Sequence, residues 1–232
     1  MAGSKTTLIW ERAAEEHTSR RLHYDAIVEA ALKLADRSGL EAVSMRNVAA
    51  ALDAGTMSLY RYVTGKEDLL DLILDAAYGE IPLPESSRLG WQERLRRVAL
   101  ASRRVLKVHP WLASLISRRP TLGPNYLRWF ECLLRSTGES GKSLEVRVRM
   151  IGTLWAYITG FIAYELGEIE TNRRHRLTEE KKRRIVQPYV LRILATGNFP
   201  CLAEFWKSGK GQPTDADFTA GLDAVLRGIE AM

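Results

Sequence analysis

Residues 43–63 decide the fold of the N-terminal part of this chain and read VSMRNVAAALDAGTMSLYRYV. Ser44 can cap a short helix, because its hydroxyl can accept a hydrogen bond from an unpaired N–H group of the first turn. The apolar residues that follow recur at helical spacing: Met45, Val48, Ala49 and Leu52. Residues 53–55 have turn composition, and a second helix is predicted from about Thr56 to Tyr62. Two short helices joined by a tight turn form a helix-turn-helix unit.

Longer helices are predicted on both sides of this unit. Before it, apolar residues line one face of residues 24–38, and Gly39 provides a helix stop. After it, Thr64 followed three residues later by Glu67 predicts a capping box, and the sequence beyond is strongly apolar. The N-terminal unit therefore has three helices and leads into a fourth.

Prolines at positions 82 and 84 end the fourth helix and suggest a domain boundary. We predict an N-terminal extension over residues 1–21, a helix-turn-helix domain over 22–80 and a larger body over 81–232. Apolar spacing remains helical through the body, with no run of alternating strand residues. The predicted fold class is all-α.

The basic charge of the chain is concentrated outside the helix-turn-helix. The net charge is +6, but residues 1–66 carry nine Lys/Arg and eight Asp/Glu, a net of +1. Residues 173–184 hold seven basic and two acidic side chains, a net of +5. We interpret that cluster as a solvated helix face or connecting loop, so overall charge does not support DNA binding by itself.

Composition and motifs argue against several other classes. Two cysteines, Cys132 and Cys201, form no disulfide framework, and the N-terminus lacks the apolar core of a signal peptide. The longest uncharged stretch, residues 150–164, is too short and too polar for a membrane span. The HExxH, GxSxG and CxxC motifs are absent from the sequence. We expect a cytoplasmic protein without catalytic residues, metal or cofactor.

The outer face of the second short helix has the chemistry of a DNA-reading surface. It offers the hydroxyls of Thr56, Ser58 and Tyr62 and the guanidinium of Arg61, groups that suit phosphates and base edges. A helix-turn-helix works by laying this helix in the major groove. An ordinary helical hairpin with a solvated polar side has the same pattern, and the residues alone leave both interpretations open.

The sequence resembles the tetracycline-repressor (TetR) family. The specific part is LYRYV at 59–63, followed by a lysine and an acidic residue at 66 and 67, and the resemblance covers residues 22–76. The body resembles the family's C-terminal regulatory domain more loosely. The resemblance implies DNA contacts from ten residues: Ser44, Met45, Arg46, Thr56, Met57, Ser58, Tyr60, Arg61, Tyr62 and Lys66. Trp10, Arg20 and Arg21 could belong to an arm that reaches DNA or to a disordered leader.

The second domain of this family binds a small molecule between helices and dimerises through a four-helix bundle. The resemblance implies that residues 144–166 and 215–230 supply the two dimerisation helices. An apolar stripe on the last helix ends the chain, so we expect a partner to cover Phe218, Leu222, Val225, Leu226 and Ile229. The pocket candidates, each equally explicable as core, are Tyr78, Val98, Trp129, Trp155, Ile158, Phe161 and Tyr164.

His109 matches a histidine that the tetracycline-binding members place at the end of the first long body helix. Where those members carry Asn and Phe on that helix, this chain has Val98 and Ser102. The departure argues against magnesium-tetracycline as the effector. We therefore expect His109 to end the helix rather than to bind a metal.

Together these features predict a ligand-responsive transcriptional regulator, a repressor in the simplest case. It would bind a palindromic double-stranded DNA operator as a homodimer and would be associated with the nucleoid while bound. It would dissociate from the operator when a small, largely apolar effector binds. The alternative is a DNA-binding accessory or structural dimer without an effector. A cavity of several hundred Å³ in the body would favour the first, and a filled bundle the second.

Overall fold

Helices make up the regular structure of the part of the chain that the structure describes. A computed structural model covers residues 8–10, 21–84, 89–116, 121–174, 178–207 and 214–232. The helices are α1 (Arg21–Ser38), α2 (Met45–Ala51), α3 (Thr56–Leu59), α4 (Lys66–Gly79), α5 (Trp91–Val108), α6 (Leu112–Ile116), α7 (Pro124–Ser136), α8 (Leu144–Arg174), α9 (Glu179–Leu194), α10 (Pro200–Lys207) and α11 (Asp215–Glu230). The all-α prediction is confirmed.

The N-terminal unit has the predicted order of helices, with α1 packed against α2 and α4. The Ser44 hydroxyl accepts a hydrogen bond from the Asn47 N–H at 3.2 Å, as expected of a helix cap. The Tyr24 hydroxyl donates to the Tyr62 carbonyl at 2.7 Å, and the two rings meet edge to face. These contacts hold the segment after α3 against α1.

Two local predictions in this unit are wrong. Helix α3 ends at Leu59 rather than Tyr62, because the Tyr62 N–H donates to the carbonyl only three residues back and the chain tightens into a turn. The predicted pairing of Thr64 with Glu67 is replaced by one with Asp68. The Asp68 carboxylate accepts both the N–H of Thr64, at 2.7 Å, and its hydroxyl, at 2.8 Å.

Helix α4 connects the N-terminal unit to the body. It packs against α1 and also against α6 and α7. Its buried Asp75 accepts the N–H groups of Asn125 and Tyr126 and so caps the start of α7. A Cβ at Gly123 would overlap the Asp75 carboxylate, so this close approach requires glycine. Helix α4 therefore shares a fixed contact with the body.

The body is built around α8, which packs against α5, α6, α7 and α11. The buried side of α8 carries Met150, Ile151, Leu154, Ile158 and Ile162, all at most 2% exposed. Helices α9 and α10 pack against each other and leave most of their side chains exposed. Pro188 lies inside α9. None of the described helices has the length and apolar character needed to cross a membrane.

Little of the N-terminal extension lies within the described residues. Ile9 is buried in the core and Trp10 packs against that core, so Trp10 does not belong to an arm that reaches DNA. Arg20 lies outside the described residues, so the structure does not test whether it belongs to such an arm. The same holds for parts of the basic segment at 173–184.

Candidate DNA interface and effector pocket

Most of the predicted DNA contacts share one accessible surface around α2, α3 and the start of α4. Met57 is 79% exposed and Tyr60 49%, which is unusual for large apolar side chains without a partner. Arg46 and Arg61 are also exposed. The remaining accessible candidates are partly buried: Ser44, Thr56, Ser58 and Lys66. This surface combines hydroxyl, guanidinium, ammonium and aromatic groups, which suit a nucleic acid.

Two of the ten predicted DNA contacts are wrong on the evidence of burial. Met45 and Tyr62 are each only 8% exposed and belong to the core of the N-terminal unit. Tyr62 packs its ring on Tyr24, so it supports the surface instead of presenting a side chain to DNA. Asn47 is exposed on α2 beside these residues, and its side-chain amide donates to the Ala42 carbonyl at 2.8 Å.

Lys66 lies at the start of α4 with its ammonium group accessible. It lies 3.8 Å from the carboxylate of Glu41, which is fully exposed. An exposed pair of this kind contributes little stability. The ammonium can therefore leave Glu41 for a phosphate at small cost, aided by the positive end of the helix.

A small cavity lies in the body beside the far end of α4. It encloses about 200 Å³ of empty space, part of which is open to solvent. Its lining comes from four helices and the residue after α4: Ala77, Tyr78, Ile81, Ser102, Val105, Leu106, Leu112, Ile116 and Trp155. The part of it that a water molecule can enter is only about 10 Å³, room for about one water and far below the range of about 300–1,000 Å³ usual for small-molecule sites. A ligand of drug size would have to widen it.

The cavity includes two of the seven predicted pocket residues, Tyr78 and Trp155. Val98, Trp129 and Ile158 are buried but do not line it. Phe161, which packs on Phe218, and Tyr164, which is 64% exposed on α8, do not line it either. Sequence analysis missed the other lining residues because their spacing is that of an ordinary helical core. They line a cavity only because α4, α5 and α6 come together in the folded chain.

Aromatic rings form one wall of the cavity. The ring centroids of Tyr78 and Trp155 are 5.9 Å apart, and Trp129 lies 4.8 Å from Trp155 and 5.5 Å from Tyr78. Burial, followed by the neighbouring Tyr126 and Asp75, raises the pKa of the Tyr78 hydroxyl above its ordinary value. Tyr78 is therefore neutral at physiological pH and can act as a hydrogen-bonding group.

Two buried polar atoms next to this wall have no hydrogen-bond partner among the described residues. They are the hydroxyl oxygen of Ser102, which lines the cavity, and the indole nitrogen of Trp129. Ser102 has no exposed surface and Trp129 is 3% exposed. Buried polar groups are nearly always paired in folded proteins, so these two atoms distinguish the cavity from ordinary core.

His109 bridges the N-terminal unit and the body just outside the cavity. Its Nδ1 lies 2.6 Å from a carboxylate oxygen of Asp36 on α1, and its Nε2 lies 2.9 Å from one of Glu80 after α4. The indole N–H of Trp111 donates to the same Asp36 oxygen at 2.7 Å. Burial opposes the charge, but the two carboxylates outweigh it and raise the pKa of His109. His109 is the C-cap of α5, as expected, and both ring nitrogens are engaged.

The stripe predicted to face a partner subunit is buried within its own chain. Phe218, Leu222 and Ile229 have no exposed surface and Leu226 has 4%, because α11 packs against α8 and α5. The prediction that these four residues form the dimer surface is therefore wrong, and Val225 is only partly exposed. The apolar spacing of α11 predicted that this face is buried, but it did not predict which helices cover it.

Two family models match successive parts of the chain. A model of bacterial regulatory proteins of the tetR family matches residues 27–77, and one of the tetracyclin repressor-like C-terminal domain matches residues 83–232. The chain belongs to the TetR family. Its membership in a family of DNA-binding transcriptional regulators agrees with the exposed surface around α3.

One relative of this TetR-family chain matches nearly all of it, and another matches about two thirds of it. The HTH-type transcriptional repressor DrrR1 of Streptomyces coeruleorubidus is 36% identical over 231 residues, 97% of this chain and 84% of the relative. The tetracycline repressor protein class E of Escherichia coli is 31% identical over 160 residues, 66% of this chain and 74% of the relative.

A solved structure of the TetR-family protein ActR from Streptomyces coelicolor, in complex with actinorhodin, has a TM-score of 0.74 and 28% identity. The match covers 90% of this chain and 96% of that one. A similar fold thus accommodates a small molecule in that protein.

Proposed function

We propose that this TetR-family regulator binds a palindromic operator as a cytoplasmic homodimer and leaves it when a small, largely apolar effector binds. One observation carries the proposal. Helix α4 begins with Lys66 beside the exposed DNA-type surface and ends with Ala77 and Tyr78 in the wall of the cavity. An effector that enters a cavity with room for about one water molecule must displace its walls, and α4 is one of them.

The test is a pair of titrations with an operator selected from random DNA. Actinorhodin, the molecule bound in the ActR structure, is a suitable first probe, followed by other aromatic metabolites. Linkage requires that saturating operator weaken effector binding by the same factor by which the effector weakens operator binding, typically 5- to 150-fold. Equal effector affinities with and without operator would contradict the proposal.

The small volume of the cavity favours a second candidate function. A DNA-binding accessory dimer without an effector needs no ligand space, and the cavity has room for only about one water molecule, where a sensor is expected to have several hundred Å³. This candidate requires that metabolites neither bind the body nor change operator affinity. The same pair of titrations separates the two functions.

Substitutions on the proposed DNA surface should separate phosphate contacts from base contacts. Lys66→Ala should weaken binding to all sequences alike and reduce the salt dependence by about one unit of slope, because one phosphate contact is lost. Arg61→Ala should instead change the preference at particular base pairs. Electrophoretic mobility shifts at several salt concentrations measure both effects.

Lys33→Ala is the matched control for these variants. Lys33 is exposed on α1 and paired with Glu29 at 2.5 Å, away from α3. It should leave affinity, sequence preference and salt slope unchanged. If the Lys66→Ala variant keeps the wild-type salt dependence of DNA binding, Lys66 does not contact a phosphate.

The proposal of a homodimer rests on the outer faces of α8 and α11. Opposite its buried side, α8 exposes small residues at helical spacing: Gly152, Ala156, Gly160, Ala163 and Gly167. Helix α11, which packs beside it, exposes Ala216, Ala220 and Ala224 on its own outer face. Small residues allow helix axes to approach closely, so two copies can pair these faces in a four-helix bundle.

Helices α9 and α10 supply a second reason to expect a partner copy. They expose Ile185 (59%), Tyr189 (57%) and Phe205 (51%), among others, in a chain described without a partner. Apolar surface of this extent marks protein contacts in soluble proteins. A second copy that pairs on the neighbouring α8 is the simplest occupant.

Gly160→Glu should convert the protein to monomers, because pairing would bury a charge without a partner at the centre of the bundle. Analytical ultracentrifugation over a range of protein concentrations measures the change. Ala54→Glu, in the exposed turn between α2 and α3, is the control and should leave the dimer intact. A Gly160→Glu protein that remains dimeric would place the interface elsewhere.

A further inference from the structure

Helix α3 is too short to hold its own direction. It has four residues, Thr56–Leu59, whereas isolated helices need about 12–15 residues to persist in water. Its direction therefore depends on the contacts that its two ends make with the rest of the N-terminal unit. That direction matters because the exposed side chains of Tyr60 and Arg61, directly after α3, belong to the proposed DNA surface.

The backbone after α3 is fixed by a hydrogen bond from a distant part of the chain. The Tyr62 carbonyl follows the end of α3, where carbonyl groups have no further helical turn to bond to. The Tyr24 hydroxyl on α1 donates to it at 2.7 Å, across 38 positions of sequence. The ring centroids of the two residues are 5.6 Å apart in edge contact, and each side chain is only 8% exposed. Tyr24 therefore contacts the residue beside Arg61 without presenting a group to DNA itself.

This hydrogen bond restricts the turn in a way that apolar burial does not. Leu59 and Val63 are buried on either side of the turn, but apolar contacts have no preferred direction. The bonds from Thr64 to the Asp68 carboxylate fix the start of α4, after the turn. A hydrogen bond has a preferred length and angle, so the Tyr24 hydroxyl limits how far the end of α3 can rotate.

We propose that Tyr24 is a positioning residue for operator recognition, because its hydroxyl sets the direction in which α3 presents Tyr60 and Arg61 to base pairs. This inference rests on the proposed function, since it concerns the DNA surface of that proposal. Base contacts require side chains at fixed positions, whereas phosphate contacts supply affinity for any sequence. Lys66, the proposed phosphate contact, belongs to α4 and is held by its own helix. Loss of the hydroxyl therefore lowers sequence discrimination and spares affinity for unrelated DNA.

Tyr24→Phe removes the hydroxyl and keeps the ring that packs on Tyr62. The measured quantity is the ratio of affinities for the selected operator and for unrelated DNA of the same length, by fluorescence anisotropy with the full-length protein. The ratio should fall about fivefold, as one lost hydrogen bond lowers the population of the correctly directed state. Affinity for unrelated DNA and its salt dependence should stay as in wild type. An unchanged ratio, or an equal loss of affinity for both DNAs, would overturn the proposal.

Ile27→Val is the matched control for loss of stability. Ile27 lies three residues after Tyr24 on α1 and is 2% exposed, and the change removes one buried methyl group. Its midpoint of urea unfolding should fall, as that of Tyr24→Phe does, but its affinity ratio should stay as in wild type. If the ratio falls equally in Ile27→Val, general destabilisation is the cause and Tyr24 does not position α3.

A double substitution tests whether Tyr24 acts through the residue beside Tyr62. In an Arg61→Ala background, Tyr24→Phe should lower the ratio by less than it does in wild type, because a contact already removed cannot be misdirected. Equal effects in the two backgrounds would contradict the proposal. The wild-type protein distinguishes this failure from that of the proposed function. A wild-type protein that prefers no DNA sequence contradicts both, whereas a wild-type preference that Tyr24→Phe retains contradicts only the role of Tyr24.

Discussion

Arg103→Ala is expected to lower the free energy of unfolding by about 3 kcal/mol. The substitution removes a cation beside a mostly buried carboxylate and also removes the planar group that stacks on an aromatic ring. Arg103 is 7% exposed on α5 and lies 3.1 Å from the carboxylate of Glu165 on α8. Its guanidinium carbon is 4.5 Å from the ring centroid of Phe218 on α11. One side chain therefore connects three helices of the body.

Glu165 would keep one cation after this substitution, since the Lys107 ammonium lies 3.0 Å away. We therefore expect less than the full cost of an isolated buried charge. Arg103→Lys should fall between wild type and Arg103→Ala, because lysine retains the charge but not the planar group that stacks on Phe218. The comparison separates the ion pair from the stacking.

Urea unfolding followed by circular dichroism, at one protein concentration, measures these differences. Arg104→Ala is the matched control, since Arg104 is the next residue on α5 and is exposed. Its stability should stay within about 0.5 kcal/mol of wild type. If Arg103→Ala also stays within that limit, the three-helix contact does not stabilise the body.

His109→Gln is expected to destabilise the protein by about 2–3 kcal/mol at pH 6 and by less at pH 9. A neutral imidazole has one N–H and can donate to only one carboxylate, whereas the imidazolium can donate to both Asp36 and Glu80. The two-sided bridge thus requires the charged ring. The pKa of His109 is raised because the same two carboxylates favour the charged ring.

The sign of the pH effect follows from the direction of that shift. The pKa of His109 is higher in the folded chain than the ordinary value of about 6.5, so folding is favoured by the bound proton. The contribution is fully present below the ordinary pKa and is lost as the pH rises through the folded pKa. The difference between wild type and His109→Gln should therefore be largest at pH 6 and shrink by pH 9.

Urea unfolding of both proteins at half-unit steps from pH 6 to pH 9 measures this dependence. Arg104→Ala is again the control, because Arg104 is exposed on α5 and takes no part in the bridge. It should leave the pH dependence of stability as in wild type. A constant difference between wild type and His109→Gln over the whole range would mean that the charged form of His109 is not what the bridge uses.

Local features of the sequence were sufficient to predict the helix-turn-helix. The Ser44 cap, the turn at residues 53–55 and the apolar spacing of α2 act between neighbours in the chain. Their outcome therefore depends little on distant packing. The errors here, at the end of α3 and at Thr64, are shifts of one to three residues, which depend on competing local hydrogen bonds.

Tertiary structure alone decided what each buried face contacts. Spacing marked Phe218 and Leu222 as apolar, but only the packing of α11 on α8 shows that their own chain covers them. The Arg103–Glu165 and His109–Asp36 contacts join residues 62 and 73 positions apart, a separation at which periodicity carries no information about pairing. The cavity is likewise a property of four helices together, because any one of its apolar lining residues would fit an ordinary core. The sequence by itself determined which residues avoid water, and the tertiary structure determined which of them meet and where they leave a space.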